Sequence, residues 1–420
     1  MQSTLLKKPT TGSLVIAFVV FASLFPPVLL AQSYTVLHVF GASGDGSVPF
    51  GPPTLDGKGH VLGSTASGGG TGCGGYGCGT IFALTQKANL EWSETILHSF
   101  TDNGDGADPG GNLVLDGLGH LYGTASGAGP GQAAVFELSH FPGKWELSEI
   151  YQPYASPGLL LDAVGNLYGF FGRGNLGSGA IGILSPGDDG WNYTQLYSFC
   201  SQQGGCPDGA VPKSPLTWDS RGNLYGTTLY GGVSTLPCPG SLGCGVAFEL
   251  TPNGDSTWTY RVMHRFASTK TDGQYPDGGL TIDAAGNAYG VAGEGGVNGT
   301  GTIFKLTPTN AGSWTQTVLY DFPNCAEGCY PDGTMIFDKA GNLYGAAGGG
   351  LQDCGSYTCG TIFRLVPRPG GKWQYEVVHK FTGADGAFPW GVVCDGKSNL
   401  FGTTENGGTY NSGVAFEISQ

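Results

Sequence analysis

"FDKAGNLYGAAGGG", from Phe337 to Gly350, combines an aspartate, a Gly-Asn turn, a short apolar stretch and a run of small residues. Read alone it has the look of a glycine-rich ligand loop. It does not stand alone. The phrase returns as "LDGKGHVLGST" at Leu55, "LDGLGHLYGTA" at Leu115, "LDAVGNLYGFF" at Leu161, "WDSRGNLYGTT" at Trp218, "IDAAGNAYGVA" at Ile282 and "CDGKSNLFGTT" at Cys394. The shared aspartate falls at 56, 116, 162, 219, 283, 338 and 395, at intervals of 60, 46, 57, 64, 55 and 57 residues. Self-similarity at a near-fixed period fixes the architecture before any single motif is weighed.

Each unit carries four short apolar pieces, separated by Gly, Pro, Asn and Asp. The first ends on the shared aspartate, as "LVLD" at Leu113, and the second reads "NLYGT", as at Asn223. The third is a "GTIFxL" phrase opened by Gly79, Gly245, Gly301 and Gly360. The fourth reads "VLHxF", as in Ile96 to Phe100, with a tryptophan eight residues before the phenylalanine at Trp92, Trp191, Trp258, Trp314 and Trp373. Pieces this short, rich in Val, Ile, Phe, Tyr and Thr, are strands. Four antiparallel strands repeated seven times predict an all-β, seven-bladed β-propeller. Calling the strands A to D, the chain opens on a D strand at Ser33–Phe40 and ends on a C strand at Gly413–Ser419. The N-terminal strand is therefore expected to pair with the C-terminal blade and close the ring, leaving no open sheet edge.

Lys7 and Lys8 precede an apolar run from Leu14 to Phe25, then Pro26-Pro27 and a small-residue end at Ala31. That pattern predicts an export signal over 1–31 and a single propeller domain over 32–420. The mature chain has no further apolar span. The expected location is extracellular, cell surface or periplasm. The formal charge of -14 argues against nucleic acid, whose affinity rests on Lys and Arg against phosphates.

Strand parity sorts the loops. The A–B and C–D turns share one face; the longer, Gly-rich B–C and D–A loops share the other and carry ten of the eleven cysteines. Loops held by a rigid scaffold are where function concentrates, so that face is the expected functional one. The A–B phrase "DKAGNLYG" reads as a structural Asx-type turn. Cysteines come in local pairs, Cys73/Cys78, Cys200/Cys206, Cys238/Cys244, Cys325/Cys329 and Cys354/Cys359, which an exported chain would hold as disulfides. Cys394 stands alone, as an apolar buried thiol. His38, His98, His264 and His379 share one position in strand D and read as packing residues.

The phrase order "VLHxF … DGxxP … LxxDxxGNLYGTT … GTxFxL" resembles the GloVer tandem repeat of bacterial secreted proteins, from Ser33 to Gln420. The resemblance implies an exported bacterial propeller and no particular reaction. The third unit departs from it: it is short, lacks "DGxxP", and has "AIGIL" in place of "GTIFxL".

Two sets of candidate site residues lie in the D–A loops. "DGxxP" places Asp45, Asp105, Asp208, Asp272 and Asp385 at equivalent sites, with Glu327 in a sixth. Ringed about the channel mouth they would suit Ca²⁺, while Asp-Gly is also a plain turn dipeptide. Phe50, Tyr275, Tyr330, Phe388 and Trp390 flank the same turns and would stack on sugars or a partner chain, or else cap the central packing. No nucleophile, zinc-protease or phosphate-loop motif occurs. The leading expectation is a monomeric, non-catalytic binding or surface-interaction protein for a polysaccharide or an envelope protein. The alternatives are a metal-dependent hydrolase or lyase at the channel mouth and a structural envelope component.

Overall fold

A computed structural model describes residues 32–126, 133–152, 155, 157–202, 205–232, 238, 243–350, 353–354 and 357–419. The expected export signal lies outside them. Among the described residues no helix is long and apolar enough to cross a membrane.

Seven antiparallel sheets follow one another along the chain, each a four-stranded A–B–C–D meander. In the second blade the strands are Ala107–Leu115, Leu121–Ser126, Ala133–Phe141 and Lys144–Tyr151. In the fourth they are Thr217–Trp218, Leu224–Thr228, Val246–Pro252 and Trp258–Arg265. The short third unit still builds its sheet, from Leu160–Leu161 to Gly190–Ser198. The seventh combines Ala387–Cys394, Leu400–Asn406 and Val414–Ser419 with Ser33–Val39, which pairs antiparallel from Ser33↔Ser419 to Val39↔Val414. The sheets are separate; none runs continuously round the ring.

What joins them is packing between blades. The buried apolar side chains form seven clusters, each spanning two neighbouring blades. Leu37, Phe40 and Ala415 of the seventh blade pack with Val61, Phe82 and Leu84 of the first. The "LYG" tyrosine sits at these seams: Tyr225 meets Trp314 and Tyr289 meets Trp373, each on the following blade. Trp145 occupies the same position in strand D of the second blade, where the fading of the "VLHxF" phrase hid it.

The A–B turns are the expected Asx-type turns. Asp219 Oδ1 accepts the Arg221 and Asn223 backbone N–H, while Oδ2 accepts Asn223 Nδ2 and Tyr225 Oη. Burial opposes ionisation of Asp219, but the Asn223 and Arg221 donors outweigh it and hold the carboxyl below its ordinary value. Gly222 takes the positive φ, 84°, and Asn223 does not; the asparagine serves as a donor.

The "DGxxP" phrase has a second, unforeseen role as a latch between blades. The residue before the proline adopts a positive φ in six units, at Val48, Asp108, Val211, Tyr275, Tyr330 and Phe388. Its N–H donates to a carbonyl of the preceding blade: Asp108 to Cys78, Tyr275 to Cys244 and Phe388 to Cys359. The proline then lies against the glycine that opens the preceding strand C. A Cβ on Gly79 would sit 2.5 Å from Pro109 Cδ, so glycine is required there.

Candidate functional site

Strand A is innermost, and its first half sets the channel mouth on the face of the long loops. Two residues after the latch proline, neighbouring backbones nearly touch around the axis. A Cβ on Gly51 would meet the Gly111 carbonyl carbon at 2.8 Å, and one on Gly111 would meet Gly158 N at 2.8 Å. That constriction leaves the residue directly after the proline at the mouth. In successive units this residue is Phe50, Gly110, Lys213, Asp277, Asp332 and Trp390.

Five of them, with Asn112, gather around a cavity of about 340 Å³ that includes Phe50, Lys213, Asp277, Asp332 and Trp390 in its wall. Asp277 and Asp332 also line an adjoining recess of about 690 Å³, together with Tyr230, Tyr275, Tyr330 and Phe388. The five aromatic residues expected from sequence are therefore brought together around two carboxyls. Phe50 and Trp390 pack with ring centroids 4.3 Å apart, and Phe388 approaches Trp390 at 5.9 Å. Tyr275 packs edge-on to Tyr230 at 5.7 Å, and Tyr330 is half exposed, at 49%. On the far side of the constriction a wider vestibule of about 1160 Å³ is walled by the rest of strand A and the A–B turns.

The mouth is polar where its rings are not. Lys213 Nζ lies 3.9 Å from Asp277 Oδ2. Burial and the charge of Asp277 push the Asp332 carboxyl up to about 6, against the pull of the Gly333 N–H and Lys213. Burial also raises Asp277, with Lys213 opposing. Asn112 Oδ1, Thr334 Oγ1 and Trp390 Nε1 are buried at this cavity without a hydrogen-bond partner. Buried polar groups are normally paired, so three such atoms in one wall mark a place built for a polar guest or ordered water.

Lys213, Asp277 and Asp332 escaped sequence reading. Their signal was present: one register inside a repeated phrase changes from ring to cation to carboxyl while its neighbours stay constant.

The six "DGxxP" carboxylates behave differently. None of Asp45, Asp105, Asp208, Asp272, Glu327 and Asp385 lines the cavities above. Five turn outward, to strand D of the preceding blade. His38 Nε2 lies 3.0 Å from Asp45 Oδ2, His98 3.3 Å from Asp105, His264 3.1 Å from Asp272 and His379 2.9 Å from Asp385; Tyr197 Oη donates to Asp208 at 2.7 Å. Backbone amides complete each cage, as Gly41 and Gly46 do for Asp45. The strand D histidines and the loop aspartates are one device that fixes the D–A loop. Among the described residues the only group of three potential metal ligands is His38, Asp45 and Glu94. Burial first, and then Asp45, push the Glu94 carboxyl up to about 8.

Disulfides brace the same face. Cys73–Cys78, Cys200–Cys206, Cys238–Cys244 and Cys325–Cys329 are formed. Cys359 is also disulfide-bonded, while the side chain of its expected partner Cys354 falls outside those described. The carbonyls of Cys78, Cys244 and Cys359 are latch acceptors, so the loops that carry these cysteines hold the next blade's mouth residues in register. Cys394 is free and half-buried, its thiol raised by burial and the nearby Asp395.

Comparison with known proteins places the fold and the family. An ancestral GH74 enzyme superposes with a TM-score of 0.54 at 11% identity, over 93% of this chain and 48% of that one. This chain thus spans about half the length of that enzyme. A protein of unknown function from Dyadobacter fermentans aligns over 93% of this chain and all of its own, with a TM-score of 0.44 at 11% identity. A putative glucose dehydrogenase from Thermus thermophilus aligns over 92% and 100%, with a TM-score of 0.43 at 15% identity. At 11% identity the likeness to the GH74 enzyme speaks for the propeller fold alone, and the other two, with TM-scores below 0.5, carry no argument. No curated protein sequence matches the chain. The Gloeobacter/Verrucomicrobia repeat matches residues 24–237 and 233–420, and with seven blades of that phrase the chain belongs to this repeat family.

Proposed function

We propose that this protein is an exported binding protein that holds a glycan at the loop-bearing mouth of its axial channel. The observation that carries the reading is the joining of aromatic rings with unpaired polar atoms in one cavity wall. Sugars present apolar C–H faces that stack on rings and hydroxyls that both donate and accept. Trp390 and Phe50 offer the platform; Asp277, Asp332, Asn112 and Trp390 Nε1 offer acceptors and a donor. A cavity of about 340 Å³ suits one or two sugar rings, within the roughly 300–1,000 Å³ range of small-ligand sites. The disulfides fit an oxidising compartment. The test is retention of the purified protein on a panel of insoluble polysaccharides. Retention by the native protein that is lost in Trp390→Ala and Tyr275→Ala supports the reading. No retention on any matrix removes the glycan and turns the search to envelope proteins.

A second reading is hydrolysis or elimination at the same mouth. It is favoured by the raised Asp332 carboxyl, which is poised to exchange a proton near neutrality beside a second carboxyl. Release of soluble sugar from a retained polysaccharide, abolished in Asp332→Asn, would separate it from plain binding.

A further inference from the structure

We infer that His38, Asp45 and Glu94 form a zinc-type divalent-metal site at the seam between the seventh and first blades. The internal repeat supplies the comparison. Four residues before the strand D histidine or tyrosine, most seams place a tyrosine, namely Tyr34, Tyr193, Tyr260 and Tyr375. Three of these rings stack on the preceding blade, with centroids 3.9 Å apart for Tyr34–His379, 3.8 Å for Tyr197–Tyr260 and 4.1 Å for Tyr320–Tyr375, while Tyr193 tilts against Tyr151 at 5.2 Å. The hydroxyls of the three stacked rings donate to the carbonyl of the loop acid, Tyr34 to Asp385, Tyr260 to Asp208 and Tyr375 to Glu327. One seam has Gln316, which donates to Asp272 Oδ1 at 3.1 Å.

Only the first blade places an acid there. Glu94 is too short to stack and instead brings a carboxylate to the histidine and aspartate of the seventh blade. His38 Nε2 lies 3.0 Å from Asp45 Oδ2 and 3.6 Å from Glu94 Oε2. Ligands on a tetrahedral ion with bonds of roughly 2.0–2.1 Å are about 3.3 Å apart, between these two values. One imidazole nitrogen and two carboxylates neutralise a divalent charge and leave a fourth position for water. The outer support is present, since the Gly41 and Gly46 amides hold the Asp45 carboxylate. A separate observation points the same way: Glu94 Oε1 is buried and lacks a hydrogen-bond partner. The metal would tie Ser33–Val39 to Trp92–Ser99, stabilising the folded chain by mass action.

Calorimetric titration of ZnCl₂ into the metal-free protein tests the site. One equivalent should bind, and the urea midpoint should rise with zinc. Glu94→Tyr installs the residue of the other seams and should weaken uptake by at least about tenfold. Glu94→Gln, nearly isosteric, decides the matter if the tyrosine fails to pack. His98→Gln, at a seam without a third ligand, should bind as the native protein does. Failure of the native protein to take up zinc, or uptake by both Glu94 variants as tight as the native protein's, overturns the site. Neither result bears on the channel mouth.

Discussion

Asp332→Asn should stabilise this protein while weakening its ligand site. Asp332 is pushed from an ordinary 3.8 to about 6, by burial first and then by Asp277. At about 1.4 kcal/mol per pH unit, that rise of about two units costs at most about 3 kcal/mol once the carboxyl is ionised. The residue faces an open mouth where solvent screens its charge, so about 1–2 kcal/mol is the expected share. Because the folded carboxyl titrates above the unfolded one, the folded state holds more protons between about pH 4 and pH 6. Stability from this group therefore falls as pH rises through that window and is lowest above it. Asparagine removes the penalty and keeps the Oδ1 that accepts the Gly333 N–H. Urea unfolding at pH 7.5 should show the variant more stable by about 1–2 kcal/mol, with the gap closing toward pH 4.5. A variant less stable than the native protein at pH 7.5, or a gap independent of pH, refutes the account of this carboxyl. Loss of polysaccharide retention in the stabilised variant would show that the strain is kept for binding.

Two further outcomes test the scaffold. Gly79→Ala combines a φ of +98° with a Cβ 2.3 Å from Thr65 O and 2.5 Å from Pro109 Cδ, so urea unfolding should show a loss of at least about 2 kcal/mol. Removing the Cys238–Cys244 bridge by the double serine variant should cost about 2 kcal/mol in the same assay, since the loop it closes is short. It should also speed amide exchange at Tyr275, whose N–H is held by the Cys244 carbonyl.

The blades were legible because each states its own chemistry locally. A strand pattern of period two, an Asx turn and a glycine at each bend repeat often enough to be counted. The cysteine pairs were legible for the same reason, being separated by only four to six residues in the four bridges described. The "DGxxP" aspartates were visible, but their role was not. His98 and Asp105 are seven residues apart, and only the turn between strands D and A decides that they face each other rather than the axis. The latch was harder still. Pro109 and Gly79 lie on different blades, and nothing in either phrase announces the other. Lys213, Asp277 and Asp332 belong together only because ring geometry brings three separate blades to one axis.

In a repeat protein, constant positions are occupied by what every blade needs to fold and to grip the next. Asp219, Tyr225 and Gly79, with their counterparts, belong to that set. A single axial ligand or ion needs something different: unlike groups converging from several blades, or one blade departing from the rest. Both forms occur here. The register after the latch proline runs through Phe50, Gly110, Lys213, Asp277, Asp332 and Trp390, changing from ring to glycine to cation to carboxyl and back to ring. At the seam of the first and seventh blades, Glu94 stands where tyrosine would stack, and its buried oxygen lacks a partner. Neither departure is what the other blades use to fold. The two raised carboxyls at the mouth each cost stability at neutral pH that an asparagine would restore. Departures that oppose folding, set inside a frame that otherwise repeats for folding, are where binding chemistry is to be sought in this chain.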